Sequence, residues 1–146
     1  MKTLEHPLSV AQPWSDRFRT PTADDLLDAL PRSLRPATDA ARARLVAGGS
    51  LEEHLRWLGI WRWSFTYEAA CGAAPEAYVI PDPRTPRICV PLDAAAVVRL
   101  FTKPCASFVR DSVERCAAVA GVRWATWDIE SKGMVESLFD ILRPGP

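Results

Sequence analysis

The chain is short of glycine, with seven among 146 residues, and of histidine, with two, and it has no surplus of either charge, since eighteen basic residues face eighteen acidic ones. Each shortage excludes something. A chain with balanced charge has no overall field to draw in nucleic acid or an anionic membrane. No apolar run approaches the roughly 20 residues of a membrane span, and the opening MKTLEHPLSVAQPW has no signal-peptide core, so the expected compartment is the cytoplasm and no membrane partner is expected. The patterns G-x-S-x-G, G-x-G-x-x-G, H-E-x-x-H and the Walker glycine loop are all missing. No residue is therefore assigned a catalytic role by motif. Cys71, Cys89, Cys105 and Cys116 include no C-x-x-C pair and have only His6 and His54 as imidazole company. That spacing does not fit a zinc site, so neither a metal nor a cofactor is expected, and the cysteines read as small buried hydrophobes.

What is present is the composition of a globular protein, 48% hydrophobic and 25% charged, at a length that suits a single domain over residues 1–146. Residues 1–20 carry Pro7 and Pro13 without any period and read as an arm, which Trp14 would anchor on the domain. Short helices follow over residues 22–58. Thr22 caps the first, with Asp24 and Asp25 in its first turn and Leu26, Leu27 and Leu30 as its stripe, and Pro31 stops it. Thr38 or Asp39 caps the second, which Gly48 and Gly49 end. Ser50 and Glu53 have the form of a capping box, and Leu51, Leu55 and Leu58 fit one helical stripe that Gly59 would close.

An α+β core is expected over residues 60–143. From Ile60 the period becomes two, with Trp61, Trp63, Phe65 and Tyr67 on one face of a strand. AYVI (77–80) and RICV (87–90) flank Asp82, Pro83, Arg84 and Thr85, which suit a type I turn, so they form a hairpin. Asp93 caps a helix through Phe101, and a longer helix runs from about Cys105 to Ala120, closed by Gly121. VRWATWD (122–128) is the fourth strand, and residues 131–142 form a final helix. The predicted order is β-β-β-α-α-β-α, a four-stranded antiparallel sheet with helices on one face, preceded by short N-terminal helices.

The end of the chain, WATWDIESKGMVESLFDIL, with the hairpin and the long helix before it, resembles small bacterial α+β domains of unknown function that close on a Trp-containing strand, a polar turn and an amphipathic helix. The element order is also similar, more distantly, to YjbR-like domains. These resemblances imply a fold and bring no activity; the basic and histidine positions usual in YjbR-like domains are missing here.

Three functional readings compete. The favoured one is a non-enzymatic domain that binds a small apolar or aromatic ligand, or forms a homodimer, through an aromatic sheet face, with Trp127, Tyr78, Tyr67 and Arg123 as candidate ligand or interface residues. In that reading Trp61, Trp63, Phe65 and Trp124 are core. The second is an enzyme using His54 with Glu68 or Asp128 as acid and base. The third is nucleic-acid binding through Arg32, Arg35, Arg42 and Arg44, which otherwise form a solvated helical face. Asp82, Arg84 and Arg87 at the hairpin tip read as a solvated turn in which Arg84 is placed to bind a carboxylate or phosphate.

Overall fold

A computed structural model describes residues 12–70, 75–102 and 107–142. Within them one antiparallel sheet of six strands is ordered β1 (Leu51–Trp57), β2 (Trp63–Ala69), β3 (Ala77–Ile80), β4 (Arg87–Asp93), β6 (Val122–Asp128) and β5 (Ala118–Val119). The helices are α1 (Ala23–Asp28), α2 (Leu34–Val46), α3 (Ala94–Phe101), α4 (Ser107–Arg115) and α5 (Lys132–Leu142). The fold is α+β, with two strands more than the four expected from the sequence.

The largest correction concerns residues 51–57, which form an edge strand and not a helix. Leu51 and Leu55 are four apart, a spacing that satisfies a helix and a strand alike. Long-range pairing decides between them. Leu51, Glu53, Leu55 and Trp57 lie opposite Ala69, Tyr67, Phe65 and Trp63 of β2, so every second residue shares a face with a large β2 side chain. Glu53 accepts hydrogen bonds from Arg42 Nε at 2.9 Å and Nη2 at 2.7 Å and from the Tyr67 hydroxyl at 2.6 Å. Arg42 sits on α2 with its guanidinium 4.5 Å from the centre of the Phe65 ring. One guanidinium thus ties α2 to both strands of the first hairpin.

Paired residues on neighbouring strands point to the same side of a sheet, which sorts the side chains into two faces. Phe65, Tyr67, Val79, Ile88, Ala125 and Trp127 share the covered face and are buried. Phe65 alone, when fully buried, contributes about 2 kcal/mol. α2 lies over this face through Arg42, and Arg44 fastens α5 to α2 by pairing with Glu136 and Asp140. Arg123, on the same face, donates to the carbonyls of Val113 and Cys116 and so caps the C-terminal end of α4.

Several other elements start or stop as the sequence predicts. Thr22 and Asp25 form a reciprocal capping box at α1, and Asp93 accepts from the Ala96 amide at the start of α3. Strand β6 and helix α5 fall within a residue of their expected limits. α2 starts ahead of the expected cap at Thr38 or Asp39, at Leu34. The helix expected to run to Ala120 stops at Arg115. Ala118 and Val119 instead pair with Arg123 and Val122, and Ala120 and Gly121, both at positive φ (53° and 78°), make the two-residue turn between them. Trp61 is likewise outside β2, in a 3-10 turn (Gly59–Trp61), where Gly59 has φ +67°. Trp14 of the N-terminal arm is buried, and Trp63 Nε1 donates to the Asp16 carbonyl at 2.7 Å, so the arm lies on the domain from residue 13. Cys89 is buried and Cys116 half-buried, while Cys71 and Cys105 lie outside the described residues.

Burial alone would push the Glu53 carboxyl up, but the bonds from Arg42 and Tyr67 outweigh it and its pKa lies below the ordinary value. Its contribution to stability is therefore complete above about pH 4.3 and is lost as pH falls through the lower folded-state value. Tyr67→Phe is expected to cost about 1 kcal/mol in a urea melt at pH 7, and Glu53→Ala about 2 kcal/mol because Arg42 loses its main partner. A Glu53→Ala protein as stable as the parent would refute this account of the hairpin.

Candidate functional site

The reverse face of the sheet carries His54 and Arg56 from β1, Thr66 and Glu68 from β2, Tyr78 from β3, Cys89 from β4, and Trp124 and Thr126 from β6. Across it runs a row of three rings. Trp61 meets Tyr78 edge-on, with centroids 5.4 Å apart, and Tyr78 meets Trp124 at 5.6 Å. These are the separations at which aromatic pairs attract beyond their simple burial. Tyr78 is half-buried, and Trp124 is 37% exposed.

This corrects one sequence-based assignment. The sequence places Trp61, Trp63, Phe65 and Trp124 in the core; Trp63 and Phe65 are buried there and Trp61 is partly buried against it, whereas Trp124 is exposed. Trp124 and Trp127 lie on opposite faces of β6 because they are three residues apart in a period of two. The chain's alternation shows that the two differ, but only the register to β4 shows which one the helices cover. Trp61 leaves the alternation because the turn at Gly59 and Arg62 interrupts the strand.

The other candidate residues fall in different places. Tyr78 lies on the reverse face, half-buried and packed against the core, beside Thr66 and Cys89, which are fully buried there. Trp127 is 3% exposed on the covered face, although its ring forms one wall of a cavity of about 550 Å³ between β6, α4 and α5 that Trp124 also lines. Its indole N–H has no acceptor among the described residues. Tyr67 is fully buried, and its hydroxyl is held by Glu53. Arg123 is occupied with the end of α4. The structure thus brings Trp127 and Trp124 to one cavity and leaves Tyr67 and Arg123 on the covered side.

His54 Nε2 lies 3.6 Å from Glu52, and across the strand pair it faces Thr66, two residues before Glu68. The Glu68 carboxylate is bound by Arg56 at 2.8 Å and 3.1 Å and by the Thr66 hydroxyl at 2.9 Å. Those bonds pull its pKa down to about 2, which makes it a poor proton acceptor. Asp128 pairs opposite Arg87, and β2, β3 and β4 separate its strand from that of His54, a distance of roughly 19 Å at the usual strand spacing. Of the basic cluster, Arg35 pairs with Asp24 and Asp28, Arg42 with Asp39 and Glu53, and Arg44 with Glu136 and Asp140. Those three guanidiniums are engaged within the fold, and Arg32 is exposed.

A second cavity, of about 510 Å³, opens at one end of the aromatic row. In an antiparallel meander every second turn returns to the same end of the sheet, so the β1–β2 turn (58–62) and the β3–β4 turn (81–86) lie together there. Trp61, Ile60 and Arg62 of the first turn and Asp82, Arg84 and Arg87 of the second line the cavity, and Trp14 closes it. Arg62 is left-handed with φ 57° and ψ −142°, a region that normally belongs to glycine, and its guanidinium lies 5.2 Å from the centre of the Trp14 ring. The sequence gives no warning of Arg62, because nothing in its neighbours marks a non-glycine residue at positive φ.

Among the described residues no three His, Cys, Asp or Glu side chains gather as a metal site, and no helix is long and apolar enough to cross a membrane. No family model matches the chain, nor does any curated protein or solved structure.

Two outcomes follow. Arg62→Gly should raise stability by about 1 kcal/mol in a denaturant melt by relieving the backbone, with equal or lower stability the contrary result. Because the folded-state pKa of Glu68 lies below its unfolded value of about 4.3, the stability it contributes is full above that pH and is lost as pH falls toward about 2. Glu68→Gln should therefore flatten part of the fall in melting temperature between pH 4.3 and pH 2; a variant with the parent's full acid slope would contradict this.

Proposed function

We propose that this is a non-enzymatic domain that binds a small, flat, largely apolar ligand on the open face of its sheet. The observation that carries the reading is the row Trp61, Tyr78 and Trp124, in which Tyr78 touches a ring on either side, on the face opposite the helix-covered core. Rings held in this way offer a rigid platform that loses little conformational freedom when a planar molecule settles on it. The row also joins two recesses, since Trp61 lines one and Trp124 the other, and both have the size of small-molecule sites. The acid and base alternative has less support, because the carboxylate nearest to the face of His54 on β2 is already tied to Arg56 and Thr66.

The probe for this reading is neutral 2-naphthylmethanol, followed by equilibrium dialysis. Binding is expected to weaken about fivefold in Tyr78→Ala and in Trp124→Ala, the loss of roughly 1 kcal/mol of ring contact, and to be unchanged in Val119→Ala, which alters an exposed side chain outside the row. Equal affinity in all four proteins would overturn the reading. Light scattering that found a stable dimer dissociated by Trp124→Ala would also overturn it, by giving the face to a second copy of the chain.

A further inference from the structure

We infer that the ligand carries a negative charge, and that the cavity between the two hairpin turns holds its carboxylate or phosphate while its ring lies on Trp61. The inference rests on the proposed aromatic platform for the ring and on a separate set of groups for the charge. Three guanidiniums, from Arg62, Arg84 and Arg87, line this cavity against one carboxylate, Asp82. Asp82 is buried and lies 3.7 Å from both Arg84 and Arg87, too far for a hydrogen bond to either. Its Oδ1 instead accepts from the Arg84 backbone amide at 3.0 Å, which shapes the turn. The guanidinium donors of both arginines are thus directed by one acid without being saturated by it, and Arg62 has no carboxylate within ion-pair distance among the described residues.

Trp14 is 7% exposed, forms a wall of the cavity and carries the Arg62 guanidinium 5.2 Å from its ring centre, which holds that cation beside the space. Arg62 is held in a glycine-like backbone conformation, and strained residues of this type persist where their placement is used. Arginine presents a planar fork of donors that matches a carboxylate or a phosphate equally well, so both anions share the site's chemistry.

The shape of the ligand follows from the neighbours. Trp61 both lines this cavity and touches Tyr78, so a ring attached directly to the anionic group reaches the aromatic row without a long linker. Ile60 on the cavity rim is 89% exposed and adds apolar surface beside that ring.

The test compares three naphthalene probes by equilibrium dialysis in low salt: 2-naphthylmethanol, 2-naphthoate and 2-naphthyl phosphate. The proteins are the parent, Arg84→Gln, and Arg62→Gly with Arg84→Gln. Arg84 is 87% exposed at its side chain, so its replacement leaves the fold intact. At least one anionic probe should bind roughly tenfold more tightly than the neutral one, with an advantage that shrinks in Arg84→Gln, shrinks further in the double variant, which keeps only Arg87, and falls with added salt. Which anion gains more identifies the source of the charge. Equal affinity for all three probes, or an anionic advantage as large in the double variant as in the parent, overturns the inference while leaving the aromatic platform standing. Anionic binding that is insensitive to Tyr78→Ala would instead remove the platform and keep the arginine site.

Discussion

Arg42 sets the arrangement of the whole domain. Its guanidinium makes two bonds to Glu53 and one to Asp39 while resting on the Phe65 ring, and Glu53 in turn holds the Tyr67 hydroxyl. A carboxylate drawn partly out of water is tolerated only with such partners, because its desolvation must be offset by charge-assisted hydrogen bonds. The consequence is geometric. Glu53 has to face α2, which fixes the register of β1 on β2, and a strand shifted by one residue would turn Leu51, Leu55 and Trp57 away from the core. With that register fixed, Trp63, Phe65 and Tyr67 face the helices, and the alternate residues Ser64, Thr66 and Glu68 face the other way.

The reverse face follows from the same choice. Tyr78 and Trp124 occupy it because their neighbours Val79 and Ala125 belong to the core, and the period of two leaves them no other position. The β1–β2 turn then brings Trp61 over Tyr78 and aims Arg62 at the end of the sheet, where the β3–β4 turn presents Asp82, Arg84 and Arg87. A covered face that is closed by helices and a reverse face that carries rings and arginines are thus two results of one register. Function and fold share that constraint, since any slip of β1 would alter the platform as well as the core.

Much of the architecture could be read from the residues. The Thr22 cap, the Asp93 cap, the Asp82 turn and the limits of β6 and α5 depend on chemistry within four or five residues, and local chemistry is what a sequence displays. The largest error lies where distant partners decide. Residues 51–57 satisfy a helix by spacing and become a strand because β2 offers seven partners and Arg42 offers a counter-ion. Residues 118–120 read as the end of a helix and instead form a short strand and the start of a turn, because Ala120 accepts a left-handed conformation beside Gly121. A group of rings outside the Phe65 layer is legible in the surplus of aromatics. Its membership is not, since choosing Trp124 over Trp127 needs the pairing of β6 with β4, and Arg62 shows itself only through its backbone angles.

Helices seal the sheet face that holds Phe65, Tyr67 and Trp127, while the row on the reverse face reaches solvent, most fully at Trp124. Hydroxyl-radical footprinting of the intact protein, read by mass spectrometry, tests this arrangement most directly. Trp124, Tyr78 and Trp61 should be oxidised readily, while Phe65, Tyr67 and Trp127 remain protected until the protein is unfolded. Protection of Trp124 and Tyr78 to the level of Phe65, or rapid oxidation of Trp127 in the folded protein, would contradict the assignment of the two faces.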